Sequence, residues 1–440
     1  MIDWTTVENE AARLLSRYIQ FDTTNPPGNE AQALEFLAEV LAEQGFDPQI
    51  ILSAPQRANL IVRLPSRTEP TAPPILLHAH ADVVPATSLD WSVPPFGGHI
   101  KDGYVWGRGA LDDKGLGIIF LQTLCLLKAL AVPLRRDVIL LIAADEEIGS
   151  RHGVAWLLDH QPDLIKAEFV WDEGGMGLGR ANGRYLFNIA IDEKKPLTLT
   201  LIAQGTPGHA ALPHQNNPQD RLVRALSRIK QWQHPSRLTK PVIQMLHTLA
   251  ATQPPTRAFL FARAEKPILW PLLRAVLAAN PYFAPLICNT VNLTMLQGGQ
   301  SSNMISAQAQ AKLDVRLLPD EEPHSFLSDL RSVIGDPKVL IEAEDLPSSP
   351  PPTRIDTEFY RALTETLIQQ TPAGLVTPYL TPGATDSRFF RRAGMQAYGF
   401  MPMLLDGREL SRIHGVDERV STANLRWGIQ VALATLQKLG

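Results

Sequence analysis

Acidic and histidine side chains are concentrated in five short segments of this 440-residue sequence. Each segment follows an apolar run or lies in a glycine-containing turn, and the five segments are 80–82, 107–115, 145–149, 171–175 and 413–418. Ligand sites of open α/β sheets gather at the carboxyl ends of the strands. Histidine and carboxylate side chains at such an edge are also the groups that bind divalent zinc.

The first two segments supply a histidine and three carboxylates. His80 can bind a metal ion through one ring nitrogen while Asp82 orients the other, although such a pair is also common as a purely structural contact. Asp112 and Asp113 precede the apolar stretch 116–130, where they can present oxygens to two metal ions or cap a helix. Taken alone, these segments leave both interpretations open.

The other segments add acids at strand ends and a second imidazole. Asp145, Glu146 and Glu147 follow an apolar run directly, and their mutual repulsion is costly unless a cation offsets it. One of them can bind a metal ion while its neighbour works as a general base. Two further acids follow the run 168–171, and His414 lies far downstream.

The composition excludes several other classes of protein. A net charge of −4 lacks the cationic surplus of a nonspecific nucleic-acid binder. Two cysteines, Cys125 and Cys288, are too few for a disulfide-rich scaffold or an all-thiolate zinc module. No stretch approaches the ~20 apolar residues that span a bilayer, and the acidic start lacks a signal-peptide pattern, so we expect a cytoplasmic protein. The five segments together therefore indicate a dinuclear zinc hydrolase.

Helical and strand patterns alternate over about the first 190 residues, which predicts an α/β fold with a mainly parallel sheet flanked by helices. The β-rich runs are 59–64, 75–77, 138–144 and 168–171. From Lys194 the pattern changes to alternating strands such as 311–317, with one exposed face. We therefore predict a discontinuous domain, 1–193 plus 350–440, with an inserted α+β domain at 194–349.

The successive motifs resemble those of a known family. HADVVP, GRGALDDKG, ADEEIGS, WDEGG, GTPGHA and HGVDERV occur in this order along nearly the whole chain, preceded by NPPGNE at 25–30. They resemble the dizinc aminoacylase/carboxypeptidase family, which includes aminoacylase, glutamate carboxypeptidase, carboxypeptidase S and acetylornithine deacetylase. DEGG most resembles the carboxypeptidase S and aminoacylase branches. The resemblance implies a zinc-peptidase-like catalytic domain, with 194–349 as a lid or dimerisation domain.

The resemblance also implies which residues bind metal. His80 and Glu173 would bind one zinc ion, Glu147 and His414 the other, and Asp112 would bridge them. Two zinc ions bring a charge of +4 and the three carboxylates −3, and a bridging hydroxide neutralises the remainder. A metal ion lowers the pKa of bound water toward about 7, and cobalt or manganese also suits these ligands.

Three further expectations come from the same resemblance. Glu146 would be the general base, taking a proton from the bridging water as it attacks an amide carbonyl and delivering it to the leaving nitrogen. Asp82 would orient the metal-binding histidine beside it, and the peptide bond after Asp112 would be cis. Whether Glu173 or its neighbour Asp172 is the metal ligand stays open.

The inserted domain contributes the residues expected to bind substrate. His209 would stabilise the oxyanion, in cis or from the partner subunit of a homodimer, unless it is an exposed turn histidine. Arg316 would bind the substrate's α-carboxylate through two hydrogen bonds, unless it forms a surface ion pair. Asn303 would be another substrate contact, and the loop 382–388 is similar to the family's carboxylate-side loop. No role is assigned to His78.

The leading hypothesis is an exopeptidase or amidohydrolase that cleaves a small molecule or short peptide beside a free α-carboxylate. Carboxypeptidase or dipeptidase-like activity is one form, and deacylation of hydrophobic N-acyl amino acids is the close alternative. Different classes are a non-hydrolytic binding protein on the same fold and a two-metal phosphoesterase. The base Glu146 disfavours the first, and the lack of a phosphate-binding glycine loop disfavours the second.

The stretch 267–287 is unusually apolar. Its residues belong either to a core or subunit interface, or to a wall that receives a hydrophobic substrate or a membrane surface. The second interpretation favours substrates with hydrophobic acyl or side chains.

Overall fold

The computed structural model describes residues 2–67, 69–179, 184–348 and 350–440. The chain divides into two compact units. The first unit comprises residues 1–191, 351–379 and 385–440, and the second comprises residues 192–350 and 380–384. The catalytic and lid roles assigned to the two predicted domains stay predictions.

The described residues contain both helices and strands along the whole chain. The α-helices are α1 Trp4–Ile19, α2 Glu30–Glu43, α3 Lys114–Ala129, α4 Val154–His160, α5 Pro162–Ile165, α6 Pro218–Gln231, α7 Lys240–Ala250, α8 Pro255–Phe261, α9 Trp270–Ala278, α10 Pro323–Ile334, α11 Glu358–Gln370, α12 Ser387–Arg392, α13 Gly407–Leu410 and α14 Thr422–Lys438. The strands are β1 Gln49–Ala54, β2 Arg57–Leu64, β3 Ile75–His80, β4 His99–Lys101, β5 Tyr104–Trp106, β6 Val138–Ala143, β7 Phe169–Asp172, β8 Gly177–Gly179, β9 Tyr185–Glu193, β10 Lys195–Gln204, β11 Gly208–His209, β12 Thr290–Gly298, β13 Met304–Ile305, β14 Gln308–Leu317, β15 Val339–Ala343, β16 Leu375–Thr381, β17 Gln396–Gly399, β18 Leu404–Leu405 and β19 Arg419–Ser421.

The first unit is built on a mixed sheet flanked by helices, which confirms the predicted α/β class. Within the described residues this sheet has ten strands, in the order β1-β2-β6-β3-β7-β17-β9-β8-β18, with β16 paired to β9. Its centre is parallel, because β3 pairs in parallel with β6 and β7, and β7 with β17. Antiparallel pairs such as β1–β2 and β2–β6 make the sheet mixed.

The two faces of the central strand β3 pack against different layers. Ile75, Leu77 and Ala79 join the buried cluster formed with α1, α3 and α14, whereas Leu76 joins the opposite cluster with α4 and α12. This alternation follows from the two-residue period of a strand. His78 therefore points toward the α12 side, and its ring lies 5.2 Å from the ring of Phe390.

The parallel centre brings three predicted site segments to one edge. β3 ends at His80, which is in register with Ala143 at the end of β6. β7 ends at Asp172 and pairs with β3 in the same direction. Because all three strands end at the same edge, the acids that follow β6 and β7 lie beside His80.

The second unit contains a separate antiparallel sheet in the order β12-β14-β10-β15. Leu197, Leu199, Leu313 and Val315 are buried in the cluster formed with α6 and α10. Lys312, Asp314 and Arg316 alternate with these residues on the other face of β14, as the sequence pattern predicts.

No helix in the described part of the chain is long and apolar enough to cross a membrane. The cytoplasmic location stays a prediction.

Candidate metal centre

Two groups of potential metal ligands in the first unit share one aspartate. His80, Asp112 and Glu173 form one group, and Asp112, Glu147 and His414 form the other, with the ligand atoms of each group within 4.8 Å of one another. The two carboxylate oxygens of Asp112 divide between the histidines, since Oδ1 lies 3.0 Å from Nε2 of His80 and Oδ2 lies 3.0 Å from Nε2 of His414. This is the arrangement expected of a carboxylate that bridges two cations.

The remaining ligand distances complete both groups. Oε1 of Glu173 lies 3.9 Å from Nε2 of His80, and Oε2 of Glu147 lies 3.4 Å from Nε2 of His414. Asp112 stands in the turn before α3, and the peptide bond that follows it is cis, as expected. His414 has a φ of 58°, which lies in the left-handed region. A non-glycine residue keeps this uncommon conformation only where the surrounding contacts hold it there.

The electrostatics of the cluster favour a cation. Burial raises the pKa of Glu147 above its ordinary value, and the nearby Asp112 carboxylate raises it further. Burial also raises the pKa of Glu173 well above its usual range, with Asp112 and Glu146 adding to the effect. Burial is the larger cause of both shifts, and the smaller part that comes from neighbouring carboxylates is a repulsion that a cation would offset.

One buried oxygen tests whether the residues fit a metal ion. Within the described part of the chain, Oε1 of Glu147 is buried and has no hydrogen-bond partner. A buried carboxylate oxygen without a donor is costly unless a cation satisfies it. Zinc also accepts this ligand set. Each position has one imidazole and one carboxylate of its own, and the two positions share the carboxylate of Asp112. The residues therefore fit two adjacent divalent cations.

Asp82 secures the turn that carries the candidate base Glu146. Its carboxylate accepts hydrogen bonds from the backbone N–H of Glu146 at 3.0 Å and of Glu147 at 3.2 Å. Nδ1 of His80 lies 2.9 Å from the backbone oxygen of Asp82 and 3.5 Å from its carboxylate. Asp82 thus contacts the ring of His80 mainly through its backbone oxygen, whereas its carboxylate binds the backbone N–H groups of the turn that carries Glu146.

A buried network behind this turn includes residues that sequence reasoning missed. Asn25 donates to the carboxylates of Asp82 at 2.8 Å and Asp145 at 2.9 Å. Arg57 donates to Asp145 at 2.6 Å and forms a two-point pair with Glu30. The NPPGNE motif, which provides Asn25 and Glu30, was the available sequence signal, but its role depends on contacts distant along the chain.

The structure also brings His78 and Asp172 together beneath the ligands. Nδ1 of His78 lies 2.8 Å from Asp172, whose other carboxylate oxygen accepts a hydrogen bond of 2.7 Å from Ser387. All three side chains are buried. Asp172 also accepts the backbone N–H of Glu173 at 2.8 Å. Of the two candidate acids, Glu173 therefore lies in the ligand group, while Asp172 holds it in position.

The loop 382–388 takes part in the same network. Ser387 reaches Asp172, and Asp386 accepts a hydrogen bond from Ser150 and lies 3.4 Å from Nε2 of His78. Burial raises the pKa of Asp386 to about 6. Asp386 and Ser387, two residues of the proposed carboxylate-side loop, thus contact residues that lie next to the candidate metal ligands.

A buried ion pair joins the two segments that meet at Asp112 and His414. Oε1 of Glu418 accepts the backbone N–H groups of Leu111 at 2.8 Å and Asp112 at 3.1 Å, and Oε2 pairs with Arg108 at 2.6 Å. Arg108 also donates to the backbone oxygen of His414 at 3.4 Å. Glu418 is fully buried and Arg108 is 3% exposed, so the pair is shielded from solvent.

We expect Glu418→Gln to weaken metal binding about 10–100-fold, the usual effect of losing a group that orients a ligand. The amide would direct N–H groups at the Arg108 guanidinium or at the backbone N–H groups, so one donor would lose its acceptor. Metal affinity is measured by competition with a chromophoric chelator.

Glu409→Gln is the matched control for this variant, because Glu409 also pairs with an arginine, Arg419, at 2.8 Å. It should leave metal affinity unchanged. Wild-type affinity and thermal stability in Glu418→Gln would remove the proposed positioning role.

The three residues expected to bind substrate lie in the second unit. His209 is in β11, which pairs with β13, and the backbone oxygen of Asn303 accepts the N–H of Ala210 at 3.0 Å. Arg316 forms a two-point ion pair with Asp314, at 2.8 and 3.0 Å. His209 and Asn303 are therefore neighbours, while Arg316 is paired on its own strand. Their substrate-binding roles stay predictions.

The sequence matches a known family and several curated proteins. A model of peptidase family M20/M25/M40 matches residues 76–438. The N-fatty-acyl-amino acid synthase/hydrolase PM20D1 of Homo sapiens is 32% identical over 368 residues, covering 80% of this chain and 72% of that protein. A "Probable carboxypeptidase S-like 2" of Dictyostelium discoideum is 29% identical over 80% of this chain and 69% of that protein. Aminoacylase-1 of Homo sapiens is 26% identical over 98% of this chain and 96% of that protein.

Solved structures share the fold. An M20 family metallo-carboxypeptidase, Sso-CP2 from Sulfolobus solfataricus, aligns with a TM-score of 0.73 at 19% identity, covering 100% of this chain and 99% of that chain. The YXEP protein of Bacillus subtilis, described as a dinuclear metal binding peptidase from the M20 family, aligns with a TM-score of 0.62 at 13% identity, covering 99% and 98% of the two chains.

The fold and the shared-aspartate site define a metal-dependent hydrolase of amide bonds. This chain belongs to peptidase family M20/M25/M40. Its relatives include carboxypeptidase S-like and aminoacylase proteins, in agreement with the resemblance that the motifs carry.

Proposed function

We propose that this chain uses two metal ions to hydrolyse an amide bond beside a free α-carboxylate, and that hydrophobic N-acyl amino acids are its preferred substrates. The observation that carries the reaction type is the position of Asp112 between two histidines, with each of its oxygens 3.0 Å from one of them. Zinc is the proposed metal, and cobalt or manganese would also suit the ligands.

The residues around the metal positions would divide the work of hydrolysis. When bound, the metal ions polarise the amide carbonyl and lower the pKa of water. Glu146 accepts a proton from the attacking water and delivers it to the leaving nitrogen. Asp82 fixes the backbone of Glu146, so the base approaches from a defined position. His209 donates to the developing oxyanion.

The acyl-chain preference is supported by relatives rather than by the metal centre. Four of the most similar curated proteins are N-fatty-acyl-amino acid synthase/hydrolases, at 29–32% identity over 80–83% of this chain. Carboxypeptidase activity is the second candidate, because a carboxypeptidase S-like protein matches over a comparable length. Both activities cleave the same kind of bond beside the same carboxylate.

The test is cleavage of a mixed pool of N-acyl amino acids and dipeptides by the zinc-loaded protein, followed by mass spectrometry. We expect release of free amino acids from long-chain N-acyl substrates, and none from a Glu146→Gln control. Faster cleavage of dipeptides would replace the deacylase with the carboxypeptidase. A protein with two bound zinc ions that cleaves nothing in the pool would contradict both.

Arg316 is proposed to bind the substrate carboxylate. Its pair with Asp314 uses two of the five N–H groups of the guanidinium, which leaves three for another acceptor. We expect Arg316→Met to lower kcat/KM about 10–100-fold, mainly through KM, because hydrogen bonds between charged groups contribute about 1.5–3 kcal/mol. Steady-state kinetics measure both parameters. Asp314→Asn is the control, because it keeps the guanidinium of Arg316, and its kcat/KM should fall much less than that of Arg316→Met.

We further propose a homodimer formed through the second unit. The strand β12 lies at the edge of its sheet, and Leu293, Met295 and Leu296 on it are about half exposed. An exposed apolar edge strand is a ready surface for pairing with another chain.

If His209 acts across that interface, mixing His209→Ala with Glu146→Gln subunits should restore up to about a quarter of wild-type activity, because one site in each mixed dimer is intact and half of the dimers are mixed. Sedimentation measures the assembly and kinetics measure the recovery. A dimer whose mixtures stay inactive would assign His209 to its own subunit.

A further inference from the structure

Arg57 is a buried arginine that joins two segments of the first unit that are distant along the chain. Its Nε and Nη2 donate to the two carboxylate oxygens of Glu30, both at 2.9 Å, and Nη2 also donates to Oδ1 of Asp145 at 2.6 Å. Its Nη1 donates to the backbone oxygen of Pro27 at 3.1 Å. These four hydrogen bonds hold the guanidinium between a loop and an acidic turn.

The loop approaches this guanidinium so closely that it needs a glycine. Gly28 has a φ of 81°, and a Cβ atom at this position would lie 2.4 Å from Cζ of Arg57. Any other residue there would displace the guanidinium or the loop. The place of Arg57 is therefore set by steric contact as well as by its hydrogen bonds.

The acidic turn on the other side has an unfavourable backbone conformation. Asp145 has a φ of 70°, and a non-glycine residue in this region costs about 1–3 kcal/mol. Its carboxylate accepts hydrogen bonds from Arg57, from Nδ2 of Asn25 at 2.9 Å and from the backbone N–H of His152 at 3.1 Å. Because Glu146 is the next residue, the contacts that hold Asp145 also hold the backbone of Glu146.

We propose that Arg57 is a positioning residue for the general base, because it fixes Asp145 and thereby the backbone from which Glu146 reaches the attacking water. This inference rests on the proposed function, in which Glu146 is the base. Arg57 and Asp145 are in neither ligand group, so they act on the base and not on the metal ions.

The first test is the kinetics and metal content of Arg57→Lys. Lysine keeps the positive charge, but its single ammonium cannot reproduce the planar fork that binds two carboxylates and a carbonyl. We expect kcat to fall about 10–100-fold, because displacing a reacting group by about 1 Å has effects of this size. KM and the two equivalents of bound metal should be unchanged.

Hydrogen exchange read by mass spectrometry tests the same displacement without using activity. The backbone N–H groups of Glu146 and Glu147 donate to the carboxylate of Asp82. In Arg57→Lys, amides of the turn 145–150 should exchange faster than in wild type. Wild-type exchange together with wild-type kcat would rule out a positioning role for Arg57.

The double variant Arg57→Lys/Glu146→Gln separates positioning from a general structural role. The position of the base matters only when the base is present, so the double variant should be no slower than Glu146→Gln alone. A further ten-fold fall in the double variant, of about the size seen in Arg57→Lys, would overturn the proposal. A Glu146→Gln enzyme with wild-type activity would remove both the base and its positioning residue, whereas wild-type kcat in Arg57→Lys beside an inactive Glu146→Gln would remove Arg57 alone.

Arg136→Lys is the matched control. Arg136 is 1% exposed, lies in the same unit, and also donates to a proline carbonyl and to two carboxylates, those of Pro73, Glu168 and Glu358. None of these acceptors is in either ligand group. Arg136→Lys should lower the melting temperature, as Arg57→Lys does, but should leave kcat unchanged. An equal loss of kcat in both variants would attribute the effect to lost stability and would contradict the proposal.

Glu30→Gln replaces the first test if Arg57→Lys does not fold. It leaves Asp145 paired with a cation but removes the charged acceptor that orients the guanidinium. We expect kcat to fall about 2–10-fold, the effect of weakening one or two hydrogen bonds, and to show no further fall in the Glu146→Gln background. A folded Glu30→Gln protein with wild-type kcat would show that the guanidinium does not position the base.

Discussion

Glu146→Gln is expected to lower kcat about 10²–10⁴-fold while the protein keeps two equivalents of bound metal. This is the range of rate acceleration that a positioned general base contributes. Glutamine keeps the shape of the side chain but cannot accept the proton of the attacking water. Glu146 is outside both ligand groups, so its replacement should not remove a metal ion.

The neighbouring residue provides the control for this prediction. Glu147 is in the ligand group with Asp112 and His414, and Glu147→Gln should therefore lose metal as well as activity. Metal content is measured by plasma mass spectrometry after gel filtration, and kcat is measured on the same samples. A Glu146→Gln enzyme within ten-fold of wild type would show that another group takes the proton.

The sequence best predicted those site residues that directly follow a recognisable apolar strand. The apolar runs at 75–77 and 138–144 correspond to β3 and β6, because buried central strands must be apolar on both faces. The acids after β6 and β7 then had to lie at one sheet edge. The choice between Asp172 and Glu173 was beyond the sequence, since it depends on the contact of Asp172 with His78, which is 94 residues away.

The contacts that hold the candidate metal ligands in position were the hardest part of the site to predict. The pair Arg108–Glu418 joins residues 310 positions apart, and no local pattern distinguishes Glu418 from an exposed acid. Asn25 lies in a recognisable motif, but nothing in that motif shows that it bonds to Asp82 and Asp145. Such contacts arise from tertiary packing of distant segments and leave no periodic trace in the sequence.

The bridging role assigned to Asp112 predicts an unusually large effect of one substitution. We expect Asp112→Asn to abolish activity and to lose both metal ions on dialysis, whereas loss of Glu173 or Glu147 should affect one metal position more than the other. The reason is geometric, because Asp112 alone belongs to both ligand groups among the described residues. An amide in its place offers one neutral oxygen where a carboxylate offers two charged ones.

Thermal melts with and without zinc test the same prediction without using activity. A ligand at 100 times its Kd stabilises a folded protein by about 2.7 kcal/mol per site, so wild type should melt at a higher temperature with zinc and Asp112→Asn should not. Asp102→Asn is the control, since Asp102 has a side chain that is 73% exposed. If Asp112→Asn still binds one metal ion tightly and is stabilised by it, Asp112 is a ligand of the other ion alone. The two positions would then be independent sites rather than one bridged centre.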